Sequence, residues 1–73
     1  MSSSNRQNAE HWLAVYDELC AFKDHLLAEV RQQREGVRDA GQSELESDER
    51  LIQREADRLH RRREYWKQVL HSN

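Results

Sequence analysis

The chain has no proline and only two glycines in 73 residues, Gly36 and Gly41, both near its middle. Proline removes a backbone donor and clashes with the preceding turn, and glycine is the next strongest helix breaker, so nothing outside the 36–41 stretch interrupts a helix. A single cysteine, Cys20, excludes an internal disulfide and fits a reducing compartment. Long apolar runs are missing too. The longest, Trp12 to Tyr16, is far too short for a membrane span or a signal-peptide core. Nor does one sign of charge dominate: 12 Lys and Arg against 14 Asp and Glu leave a net charge of −2, which provides no global attraction for nucleic acid or anionic lipid. These absences predict a soluble, cytoplasmic chain with no membrane partner.

What is present is the composition of long helices, with 36% apolar and 36% charged residues. A chain of this size holds one domain at most, and its core is thermodynamically marginal unless something else supports it. Apolar residues recur at alternating three- and four-residue steps in two runs. The first is Trp12, Tyr16, Leu19, Lys23, Leu26, Val30, Gln33 and Val37, and the second is Leu45, Glu49, Ile52, Ala56, Leu59, Arg63, Trp66 and Leu70. Folding back near Gly41 makes the runs meet, with Val37 on Leu45, Val30 on Ile52, Leu26 on Ala56, Tyr16 on Trp66 and Trp12 on Leu70. The pattern therefore predicts an all-α fold, a two-helix antiparallel coiled-coil hairpin. Three seam positions are polar: Lys23 should face Leu59, Arg63 should face Leu19 and Gln33 should face Glu49, setting register at a cost in stability.

The spacing places a polar, flexible tail at 1–7, helix one at 8–35, a loop at 36–43 and helix two at 44–71. Asn5 or Asn8 is the candidate first cap, and Ser43 with Glu46 reads as a capping box before the second helix. Each helix would be roughly 40 to 45 Å long at about 1.5 Å per residue. Charge favours the antiparallel arrangement independently. Glu10, Asp17, Glu18 and Asp24 on helix one come beside Arg58, Arg61, Arg62, Arg63 and Lys67, while Arg31, Arg34 and Arg38 come beside Glu44, Glu46, Asp48 and Glu49. A parallel pair would set like charges side by side.

Helix one carries more apolar surface than one seam can cover. Its apolar arc spans roughly half the circumference, and a single seam would leave Leu13, Cys20 and Leu27 on one side and Val15 and Phe22 on the other partly in water. Such a surplus marks an interface. The expected arrangement is a homodimer in which two hairpins form a four-helix bundle, burying Leu13, Val15, Cys20, Phe22 and Leu27, with a protein partner of unidentified nature docking on the surplus or on the assembled dimer.

The candidate chemistry is sparse. Arg50, Arg54, Arg58 and Arg61, continued by Tyr65, form a row on the outer face of helix two that could grip a nucleotide or RNA, although no glycine-rich phosphate loop accompanies it. The plainer reading is a solvated face, with Arg58 and Arg61 satisfied by Asp57, by Glu64 or by acidic residues of helix one. His25 with Glu29, and Asp57 with His60, have helix-compatible spacings, yet the paired Glu-x-x-His motifs of metal-binding bundles are missing, so no metal or other cofactor is expected. Cys20 and His25 lie about 140° apart around one helix and cannot form a nucleophile and base pair. The sequence predicts a non-enzymatic protein–protein interaction module, with anionic-ligand binding through the arginine row as the alternative.

Overall fold

In the computed structural model, which describes residues 2–37 and 40–72, two α-helices run antiparallel, α1 over Ser2–Gly36 and α2 over Ala40–His71. They pack only on each other and form a rod of 57 × 14 × 12 Å. Both helices are longer than the spacing predicts. α1 begins at Ser2 instead of residue 8, so most of the stretch read as a flexible tail is its first turns. An Arg6–Glu10 pair at 3.3 Å, one helical turn apart, supports this extension, and Ala9 is fully buried between the helices. The apolar contact therefore continues a turn beyond Trp12.

α2 begins at Ala40, which leaves Ser43 and Glu46 inside the helix and makes the connection shorter than the expected loop of 36–43. Gly41 makes the short connection possible. A Cβ added there would come within 2.7 Å of Val37 Cγ1, so the start of α2 approaches the end of α1 more closely than any side chain allows. Gly36, by contrast, is helical with open space around its Cα, and acts as an ordinary helical residue. The Val37 amide closes α1 with a 3.4 Å bond to the Arg34 carbonyl, a tightened last turn. At the far end, Ser72 ends α2 through its amide and hydroxyl, which donate to the Gln68 carbonyl at 2.9 and 2.7 Å.

The register follows from cross-helix side-chain pairs. Asp17 meets Arg63, Lys23 meets Glu55, Asp24 meets His60 at 3.1 Å, and Arg31 and Arg34 meet Glu49 at 3.1 and 2.5 Å. Every pair straddles a midpoint between residues 39 and 42, as the sequence register requires. The charge pattern behaves as expected at these positions. Arg38, grouped with Arg31 and Arg34 by its charge, lies outside the described residues.

The seam of α2 is the predicted one, with Leu45, Glu49, Ile52, Ala56, Leu59, Arg63, Trp66 and Leu70 all at least partly buried. The seam of α1 is not. Tyr16, Lys23, Val30 and Val37 occupy it as expected, but the alternate positions are Ala9, Leu13, Cys20, Leu27 and Arg34 in place of Trp12, Leu19, Leu26 and Gln33. Both sets step by three and four residues, so periodicity alone accepts either. Packing decides between them. The most buried residues are Ala9, Cys20 and Leu27 on α1 and Ala56 on α2, and three of these four are small, which lets the helices approach closely while bulky side chains go to the sides.

The predicted polar contacts change for the same reason. Lys23 borders the same depression as Leu59 while its ammonium pairs with Glu55, Arg63 takes Asp17 rather than facing Leu19, and Gln33 is exposed while Arg31 and Arg34 take its place beside Glu49. Trp12 stacks on Trp66, with ring centroids 6.2 Å apart and planes at 20°, instead of pairing with Leu70.

Candidate interaction surface

Rotating α1 about its axis gives the hairpin two unlike flanks. One flank is a polar ladder: Asp17–Arg63, Asp24–His60, Arg31 to Glu49 and Gln53, and Gln53 to Asp57 follow one another along the rod. Asp17, Asp24 and His60 are about half exposed, so their pairs add little stability and serve mainly to set register, while Glu49 is mostly covered. The other flank carries the apolar surplus. At 100° per residue, Trp12, Val15, Leu19, Phe22 and Leu26 fall within an arc of roughly 80°, about a quarter-turn from the seam. Trp12, Leu19 and Phe22 are 38%, 39% and 58% exposed, and Val15 and Leu26 are half-buried.

The expected interface residues therefore separate into two groups. Val15 and Phe22 lie on the apolar flank. Leu13, Cys20 and Leu27 turn into the seam, with Cys20 and Leu27 only 4% and 6% exposed, so within the hairpin α2 already covers the side that was expected to lie in water. Leu19 and Leu26, assigned by periodicity to the seam, take their place on this flank, with Trp12 at its edge against Trp66 of α2. The signal for them is in the sequence, because Trp12, Leu19 and Leu26 also follow three- and four-residue steps with Val15 and Phe22, a second stripe that shares three members with the first.

α2 contributes a mixed border to this flank. Leu19, Lys23, Glu55, Arg58 and Leu59 line a shallow, open depression across the two helices. Toward the free ends of the rod, aromatic rings gather: His11 lies edge-on to Trp12, Tyr65 edge-on to Trp66, and the Arg62 guanidinium sits 5.3 Å over the Tyr65 ring. The Trp66 indole N–H is buried and meets no acceptor among the described residues. No protein-family model, curated protein or solved structure shows significant similarity to this chain. Its function must be argued from these surfaces.

The arginine row stands where helical spacing puts it. Arg50, Arg54, Arg58 and Arg61 are exposed, and none forms an ion pair or hydrogen bond among the described residues; the expected partner Asp57 accepts from Gln53 at 3.0 Å instead. Arg50 and Arg54 line one open depression with Gln53, and Arg50 also borders a second that it shares with Arg34, Glu46 and Glu49, where acidic groups interrupt the positive surface.

The remaining candidates for chemistry are dispersed. His25 pairs with Glu29 at 2.9 Å on the outside of α1 and His60 is taken by Asp24. Among the described residues no three His, Cys, Asp or Glu side chains converge. Burial pushes the Cys20 thiol pKa up, Asp24 and Asp17 add to the rise, and Arg63 opposes it, so the thiol is held in its protonated, weakly nucleophilic form. The hydrogen bond from Arg63 to Asp17 raises the guanidinium pKa further above its already high value. No helix among the described residues is long and apolar enough to cross a membrane.

Proposed function

We propose that this chain is a non-enzymatic protein–protein interaction module, a small regulator or adaptor of the cytoplasm that binds through the apolar flank of α1. The observation that carries this reading is the continuous row Trp12, Val15, Leu19, Phe22 and Leu26, in which Trp12, Leu19 and Phe22 are between 38% and 58% exposed, on a chain with very little core. A short hairpin that leaves this much apolar surface in water lowers its free energy by covering it. Self-association of two hairpins into a four-helix bundle is one such cover, and a larger protein that docks on the flank or on the assembled bundle is the functional target.

A second reading draws support from the unpaired arginines. Four exposed guanidinium groups on one helix face suit an anionic ligand such as a nucleotide or RNA. Affinity capture from the native host with tagged variants separates the two readings. On the interaction reading, Leu19→Ser with Phe22→Ser abolishes capture of the partner, whereas Arg54→Ala with Arg58→Ala leaves it intact. The opposite ranking, together with binding that weakens steeply as salt is raised, would establish the anionic-ligand reading and overturn the first.

A further inference from the structure

We propose that the outer face of α2 binds single-stranded RNA, with phosphates on Arg50, Arg54, Arg58 and Arg61 and a base on Tyr65. This inference rests on the anionic-ligand reading of that face, names its ligand, and is independent of the apolar flank of α1.

Elsewhere in the hairpin arginines find carboxylates: Arg6 pairs with Glu10, Arg31 and Arg34 with Glu49, and Arg63 with Asp17. The four of the row do not, although each has a carboxylate one helical turn away. Asp57 accepts from Gln53 and Glu55 pairs with Lys23, so these two are engaged elsewhere. At 100° per residue Arg50, Arg54, Arg58, Arg61 and Tyr65 fall within an arc of roughly 80°, all of them exposed, and no carboxylate of α2 shares that arc. Arg50 and Arg54 bring two guanidinium groups to one open depression at the start of the row.

Four-residue steps set successive arginines about 6 Å apart along the axis, and the row with Tyr65 is about 22 Å long. Successive phosphates of a stacked strand advance about 3.4 Å, and those of an extended strand advance further, so this length takes roughly four to six nucleotides. Guanidinium forks bind phosphate oxygens two at a time.

Two features select a single strand over a duplex. Tyr65 is 49% exposed and is braced by the Arg62 guanidinium 5.3 Å over its ring and by Trp66 edge-on at 5.0 Å, which makes a platform for an unpaired base. Glu46, Asp57 and Glu64 line one edge of the row, so a second phosphate rail, as in a duplex groove, would lie against carboxylates. For a chain of the cytoplasm the single strand at hand is RNA. The net charge of −2 supplies no long-range attraction, so the contact is local and steep in salt.

Fluorescence anisotropy of a labelled oligouridylate of about 12 nucleotides, titrated with the whole chain, tests this. Four phosphate contacts give a slope of about −3 in log affinity against log salt, a loss of about 50-fold between 50 and 200 mM. Arg54→Ala with Arg58→Ala should halve that slope at unchanged helicity. Tyr65→Leu should weaken binding at least about fivefold without altering the slope, and Tyr65→Phe should restore the affinity. A slope that the double arginine variant leaves unchanged overturns the proposal, as does tighter binding of an RNA duplex or of a DNA strand of the same length. If oligoglutamate of equal charge displaces the RNA as well as unlabelled RNA does, RNA fails as the ligand while the anionic-ligand reading stands; if neither binds at 50 mM salt, both fall. Leu19→Ser with Phe22→Ser should leave RNA affinity unchanged. Loss of that affinity in a folded variant puts the RNA on the flank and overturns the assignment to α2.

Discussion

Replacing Leu27 should damage this protein far more than replacing Leu19, although both lie on α1 and the heptad pattern alone ranks them the other way. Leu27 is 6% exposed, at the level where α2 presents Ala56, itself 1% exposed; Leu19 is 39% exposed on the apolar flank. A leucine side chain taken wholly out of water contributes about 2 to 3 kcal/mol, and truncation in a tightly packed place adds the cost of the cavity. A two-helix hairpin has little around it to hold a cavity open, so Leu27→Ala is expected at the low end of the core range, about 2 to 3 kcal/mol. Leu19→Ala leaves no enclosed cavity and loses only the contact of its covered part, about 1 kcal/mol. Against a total of roughly 3 to 5 kcal/mol for a chain of this size, the first change removes half or more of the stability and the second a fraction. Urea unfolding followed by helical circular dichroism measures both, at submicromolar protein so that self-association does not protect Leu19. If Leu19→Ala proves the more destabilising, α1 is turned so that Trp12, Leu19 and Leu26 face α2, and the assignment of the apolar flank collapses with it.

The two glycines should respond in opposite senses to alanine. Gly36→Ala, with open space around it in a helix, should raise stability by about 0.5 to 1 kcal/mol, whereas Gly41→Ala forces a Cβ against the stiff Val37 side chain and should lower it by about 1 kcal/mol; thermal melts of the two variants decide this. Cys20 should react with a thiol reagent far more slowly in the folded chain than in urea. Because burial raises its pKa, the protonated thiol favours the fold below the unfolded value of about 8.5, and that contribution is lost as pH rises through the higher folded value. The urea midpoint should therefore fall between pH 8 and pH 10 more in the wild type than in Cys20→Ala, and equal falls would show that the buried thiol is not the cause.

Much of the architecture is legible before any coordinates. The absence of proline, the central glycines and the mirrored steps specify two antiparallel helices, and the opposed charges on their ends specify the register that Asp17–Arg63, Asp24–His60 and Glu49 with Arg31 and Arg34 then display. Helix ends are less legible, because a capping box at Ser43 is a local preference, and the close approach of α2 to Val37 at Gly41 lets α2 start earlier. The candidate site was half legible. Val15 and Phe22 are recognisable as surplus, while Leu13, Cys20 and Leu27 exchange places with Trp12, Leu19 and Leu26.

The sequence by itself determined that this chain is a hairpin, which way its helices run and which residues come level with which, because those properties depend on spacing and charge along a line. The tertiary structure alone decided how far α1 turns about its own axis. That angle depends on the volumes that must fit between two helices, and with small residues at Ala9, Cys20 and Ala56 the closest packing turns Leu19 and Phe22 outward and leaves Trp12 at the edge, stacked on Trp66. The outward turn creates the apolar flank on which the proposed function rests.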